Sequence, residues 1–93
     1  MEALTKVSIS KKFERQILRL PQHIQEKALA WAKLVENCGL REVSRRPGYH
    51  DEPLLGARWG QRSVRLNRSY RLIYQVIQDA VHIELIEVHK HDY

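Results

Sequence analysis

The sequence predicts an α+β fold in the order β-α-α-β-β-β, a helical hairpin packed on one face of a mainly antiparallel sheet. Three observations predict it. Residues 11–37 place apolar side chains at helical spacing in two stretches separated by Pro21. Residues 61–88 hold three strand-like runs separated by short polar turns. Leu4 to Ile9 is a short apolar segment ahead of the helices. With 93 residues, 43% of them hydrophobic and 29% charged, the chain is expected to form one globular domain spanning residues 1–93.

Each element has its own grounds. Leu4, Val7 and Ile9 make the first strand, with Lys6 and Ser8 between them. Ser10 is a suitable N-cap for a helix from Lys11 to Leu20, although Phe13 occupies the position where a capping box would have Glu. Phe13, Ile17 and Leu20 share one face of it. Pro21 stops this helix and suits the first turn of a second, running from Gln22 to Asn37. There Ile24, Ala28, Trp31 and Val35 form the apolar stripe, and Gly39 suits the residue just past the end. Trp31 at this spacing reads as core rather than as a stacking residue. Residues 41–60 are rich in Gly and Pro and read as a long loop with room for a short strand or turn.

The meander follows. Gln61 to Leu66 alternates, with Val64 and Leu66 on one face and Ser63 and Arg65 on the other. Asn67-Arg68-Ser69 is a turn, Tyr70 to Ile77 a strand, Gln78-Asp79 a turn, and Val81 to Val88 the last strand. In that strand the apolar parity slips from Val81, Ile83 and Leu85 to Ile86 and Val88. The slip predicts a bulge near Leu85 or cover on both faces.

Composition excludes several function classes. No apolar run is long enough for a transmembrane helix, and the first residues lack the apolar core of a signal peptide. Cys38 is the only cysteine, which excludes an internal disulfide and a cysteine-based zinc site. A cytoplasmic protein without membrane partners is expected. The net charge of +5 is unevenly placed. Residues 1–40 carry 7 basic and 4 acidic side chains, residues 41–74 carry 8 and 3, and residues 75–93 carry 1 and 4. All 8 cations of the middle block are arginines, the side chain suited to bidentate phosphate contact.

If the helices cover the Val64 and Leu72 face, Arg65 and Arg71 emerge together on the open face. They flank one turn, so they should be cross-strand neighbours, and they repel unless an anion sits between them. Glu84 or Glu87 could be that anion from within, and an RNA phosphate could be it from outside. The segment Glu87-Val88-His89-Lys90-His91-Asp92-Tyr93 adds two histidines, the side chain best placed to move protons near neutral pH. Their spacing, even with His50 or Asp92, matches no strong zinc signature.

The runs Pro53-Leu54-Leu55-Gly56-Ala57-Arg58-Trp59-Gly60-Gln61-Arg62-Ser63-Val64-Arg65-Leu66 and Ser69-Tyr70-Arg71-Leu72-Ile73-Tyr74-Gln75-Val76 carry a resemblance. They are similar to the core motif of the RelE/ParE superfamily, the toxins of bacterial type II toxin–antitoxin pairs, and Tyr70 to Val76 is the most specific part. The resemblance extends over nearly the whole chain and implies the fold already derived. Its RelE-like branch implies a ribosome-dependent mRNA endoribonuclease that needs no metal or cofactor. In that chemistry the RNA 2′-hydroxyl attacks the neighbouring phosphate, leaving a cyclic phosphate and a free 5′-hydroxyl.

By this resemblance Arg71 is the phosphate-stabilising arginine, and Arg65 stands where the branch places a basic residue. Ser63 occupies a position where some members have a second lysine. His91 falls where the branch carries Arg or His and is implied as the proton-transfer group, with His89 as the fallback. Tyr93 matches a C-terminal tyrosine that stacks on a base or assists proton transfer in some relatives. Arg41, Arg45, Arg46, Arg58, Arg62 and Arg68 are expected to contact ribosomal RNA or an acidic antitoxin, with salt-sensitive binding.

The implied partners are an acidic antitoxin wrapped over the toxin, the ribosome and its mRNA, with DNA reached only through the antitoxin complex. The alternative is a ParE-like DNA gyrase inhibitor without nuclease activity, which has no use for clustered Arg65, Arg71 and His91. A third reading is a regulatory partner that binds nucleic acid through the arginine block.

Overall fold

The structure is a computed structural model that describes residues 3–90. A five-stranded sheet runs in the order β1-β5-β4-β3-β2. Its strands are β1 (Lys6–Ile9), β2 (Glu52–Pro53), β3 (Gln61–Arg65), β4 (Tyr70–Gln78) and β5 (His82–Lys90). The β3-β4-β5 meander is antiparallel, β2 adds an antiparallel edge, and β1 pairs parallel with β5. Three helices, α1 (Lys11–Leu18), α2 (Gln22–Cys38) and α3 (Leu40–Val43), precede β2. The predicted α+β class and element order hold. The arginine-rich middle turns out to contain α3, two single 3-10 turns at Pro47–Tyr49 and Gly56–Arg58, and β2.

Local chemistry explains the boundaries. The Ser10 side chain accepts the Phe13 amide at 3.0 Å, so it caps α1 without a full capping box. The helix ends at Leu18, two residues short of the predicted end, since a residue before proline is driven out of helical geometry. Pro21 itself is the extended N-cap of α2 rather than a first-turn residue. Gly39 joins α2 to α3 at φ +88° and ψ 147°, a conformation that a side chain would strain.

One face of the sheet packs against α2. Val64, Leu66, Leu72, Tyr74, Ile83, Leu85 and Val88 meet Phe13, Ile24, Ala28, Trp31 and Val35 there in one apolar core. The Trp31 and Tyr74 rings lie 5.3 Å apart at 40°. The parity slip in the last strand is a bulge: Ile73 faces Glu87 but Tyr74 faces Leu85, leaving Ile86 as the extra residue. The bulge lets Leu85 and Val88 both reach the core while Glu87 points to the open face. Beyond the end of β1, helix α1 covers the bare edge of β5. Ser10 donates to the Ile86 carbonyl at 2.7 Å, and Gln16 accepts the Val88 amide at 2.8 Å. No helix among the described residues is long and apolar enough to cross a membrane.

Thr5 is fully buried and joins three segments. Its hydroxyl donates to the Ala80 carbonyl at 2.7 Å and accepts the Leu40 amide at 2.9 Å. Replacing it with the near-isosteric Val leaves both backbone groups without that partner. Thr5→Val is therefore expected to cost about 1–3 kcal/mol, read as a lower urea midpoint with an unchanged m-value.

Candidate functional site

The open face carries two rows that matter. Arg65, Arg71 and His89 are register partners across β3, β4 and β5, and Ser63, Ile73 and Glu87 form the next row. Strand register thus makes the two arginines direct neighbours, as the sequence pattern predicts. A cavity of about 240 Å3 on this face is lined by Leu54, Arg58, Ser63, Arg71, Ile73 and His89.

Arg71 is held at several points. Its Nε donates to Ser63 Oγ at 2.6 Å, and one terminal nitrogen donates to the Ser63 carbonyl at 3.2 Å and the His50 carbonyl at 3.1 Å. The position where the resemblance allows a lysine is thus a hydrogen-bond acceptor for the central arginine. Glu87, mostly buried, pairs with Arg58 and, at 3.4 Å, with Lys12 of α1. Arg58 also donates to Gln61 at 2.8 Å. The cavity is therefore lined by two arginines, Arg71 on the sheet and Arg58 on the loop, with His89 as the register partner of Arg71 on β5. Such an arrangement can hold a tetrahedral anion and move a proton beside it.

Behind the site, Asp51 is an anchor that sequence reasoning missed. Its side chain is fully buried, accepting from Arg62 Nε at 2.6 Å and from the Tyr74 hydroxyl at 2.7 Å. Burial, together with the charge of Asp51, holds the Tyr74 hydroxyl protonated far above its ordinary range. Burial opposes the Arg62 charge, but the hydrogen bond and charge of Asp51 outweigh it, so Arg62 is raised. The acid lies in a loop next to His50, whose backbone is left-handed at φ 45°, and no periodicity marks it.

The remaining arginines scatter. Arg62 lies on the core-side parity of β3 and is engaged by Asp51. Arg46 pairs with Glu42 and Arg41 with Asp79, both in exposed or half-exposed pairs. Arg41 sits by the β4–β5 turn, roughly 25 Å of strand from Arg71. Arg45 and Arg68 are exposed, and Arg68 is in the β3–β4 turn. Arg65 is next to Arg71 in register, yet its side chain lines a different cavity beside α2. His91 and Tyr93 lie outside the described residues, so the structure places His89, the fallback, beside Arg71. Among the described residues no group of three or more His, Cys, Asp or Glu side chains could hold a metal ion.

These features coincide with a fold already seen in solved structures. The chain superposes on YafQ from E. coli with a TM-score of 0.75 at 18% identity, covering 94% of this chain and 93% of that one. The chain shares the YafQ fold. The RelE–RelB complex from Pyrococcus horikoshii gives a TM-score of 0.72 at 22% identity over 94% of both chains. The YoeB dimer from Staphylococcus aureus gives 0.70 at 21% over 98% of this chain and 100% of that one. No protein-family model and no curated protein sequence matches the chain.

The Asp51 anchor yields a pH test. Because Tyr74 is raised in the folded state, its contribution is complete below about pH 10, where the unfolded phenol titrates. It falls as pH rises toward the folded value. Tyr74→Phe should flatten the alkaline limb of urea-derived stability above about pH 10, and an equally steep limb there would exclude the coupling. Asp51→Ala, which strands the hydrogen-bonding groups of Arg62 and Tyr74, should cost about 1–3 kcal/mol at pH 7 in the same titration.

Proposed function

We propose that this chain is the toxin of a type II toxin–antitoxin pair and cleaves mRNA in the ribosome. The observation that carries the reading is the Arg71–His89 pair, side by side on the open sheet face and sharing a cavity with Arg58 and Ser63. The shared fold supports a toxin, but one fold hosts many activities, so the argument for cleavage rests on these side chains.

In the proposed reaction the 2′-hydroxyl of a bound nucleotide attacks its own 3′-phosphate. The new O–P bond closes a 2′,3′-cyclic phosphate, and the 5′-oxygen of the next nucleotide leaves, taking a proton. Arg71, fixed by Ser63 and the His50 carbonyl, faces the phosphorane and neutralises charge that grows as the bond forms. Arg58 lies close enough to share that charge, though Glu87 tempers it. His89 is the described residue able to pass a proton at this site, and His91 and Tyr93 remain proposed members of the same machinery. The reaction as written calls on no cofactor or metal, and the proposed site of action is cytoplasmic.

The proposed antitoxin is acidic and covers this face, where Leu55 and Trp59, 81% and 83% exposed, adjoin the arginines. Ribosomal RNA is the proposed contact of Arg45 and Arg68, both on exposed turns.

The test is translation in vitro with primer extension across the message. Codon-phased cuts should appear with the parent chain. Arg71→Ala should reduce the cleavage rate by about 10²–10³-fold, the scale of losing one preorganised charge-stabilising donor. Gyrase-trapped DNA breaks without mRNA cuts would replace this reading with the ParE-like one. His89→Ala and His91→Ala should be compared for their pH–rate profiles. The histidine that moves the proton is the one whose loss removes a limb near neutral pH.

A further inference from the structure

On the helix side of the Arg65–Arg71 pair lies a second cavity, of about 290 Å3, lined by Lys27 and Ala30 of α2, Arg46 and Tyr49 of the turn, and Arg65 and Leu66 at the end of β3. We propose that it is an RNA subsite holding the nucleotide adjacent to the one cut, its phosphate on the three cations and its base against Tyr49. The inference rests on the nuclease reading for which strand is bound, but the cavity's own chemistry argues for nucleic acid.

Three cations from three separate elements line the cavity, and no carboxylate does. Glu42 pairs with Arg46, but from outside the lining residues. Like charges gathered from α2, a turn and a strand repel in the unoccupied protein, and an anion removes that cost. Tyr49 is half-buried against the core, so its ring is held in place. Cations along a groove with an aromatic platform are the general means of binding single-stranded nucleic acid without sequence preference. Arginine adds the forked donor geometry that phosphate accepts.

Position links the two cavities. Arg65 and Arg71 are register partners, so their backbones are one strand spacing apart, about 5 Å. One arginine lines the cavity beside α2 and the other the cavity containing His89. An extended RNA strand crossing the edge of the sheet here would place neighbouring phosphates on neighbouring arginines. This accounts for Arg65, which is beside Arg71 without sharing its cavity.

The test uses the full chain and a fluorescein-labelled hexanucleotide with 2′-O-methyl groups, which can bind but cannot be cut. Anisotropy titrations at several salt concentrations compare the parent with Lys27→Gln/Arg46→Gln. A Lys33→Gln control removes another exposed cation of α2, outside the lining. Circular dichroism checks that each variant is folded. The double variant should bind about tenfold more weakly, and its log K against log salt should be shallower by about 0.7 for each phosphate it no longer neutralises. The control should match the parent.

Equal affinity and slope for the parent and the double variant overturn the subsite, as does a parent that fails to bind the oligonucleotide. So does a double variant that loses an acidic antitoxin while keeping RNA, since the cavity then docks protein. Cleavage on ribosomes, measured in parallel, separates the two readings. Codon-phased cleavage with cavity-independent RNA binding rejects the subsite alone. Cavity-dependent RNA binding by a chain that cuts nothing supports the subsite and rejects the nuclease.

Discussion

The buried carboxylate of Asp51 is the constraint on which the rest of the structure depends. An ionised acid without solvent is tolerated only when its oxygens are satisfied. Here Arg62 takes one oxygen and Tyr74 the other. Tyr74 in turn lies against Trp31, so the loop is tied through the sheet to the middle of α2. On either side of Asp51 the same segment does two further things: His50 offers its carbonyl to Arg71, and Glu52 pairs with Ser63 as the start of the edge strand. A short polar segment thus connects the core face to the open face. Its position sets where Arg71 can lie, so stability and site geometry are coupled through one acid.

The carboxylates also sort the arginines. Asp51 and Glu87, both with buried side chains, commit Arg62 and Arg58 to fixed places. Glu42 and Asp79 hold Arg46 and Arg41 in more exposed pairs, which are worth little and yield readily to a polyanion. The net charge of +5 is therefore two populations: cations built into the architecture, and cations that a phosphate backbone can recruit. Arg62 passes from the second group to the first once its parity on β3 is seen.

Much of the fold was legible because periodicity reports burial. The α2 stripe, the alternation of Gln61 to Leu66 and the slip near Leu85 each record which side chains meet the core, and all three appear in the structure. The Arg65–Arg71 adjacency followed from strand parity about a short turn. What was not legible lacks a period. Between residues 41 and 60 order comes from α3, single turns and side-chain anchors, set by long-range partners such as Arg62 and Tyr74 for Asp51. Thr5 is a similar case, its three-way bonding invisible without knowing that Ala80 and Leu40 converge on it. Arg58 reads from the sequence as a docking residue because nothing local reveals that Glu87 draws it to the cavity.

Ser63 shows how one small side chain redirects the chemistry proposed for the site. A lysine there would bring a further cation against Arg71 and Arg58 and offer an amine as base. Serine instead accepts the Arg71 Nε, and its short side chain lets the guanidinium lie across β3 to the His50 carbonyl. The arginine gains a fixed orientation, which matters because a preorganised donor does not reorganise as charge develops on the phosphate. The cost is that β3 no longer carries a proton acceptor. If the site cuts RNA, proton transfer must then come from the other side of Arg71, where β5 supplies His89 as its register partner. The division of labour, a fixed arginine on β4, a second on the Gly56–Arg58 turn and histidine on β5, follows from that single residue.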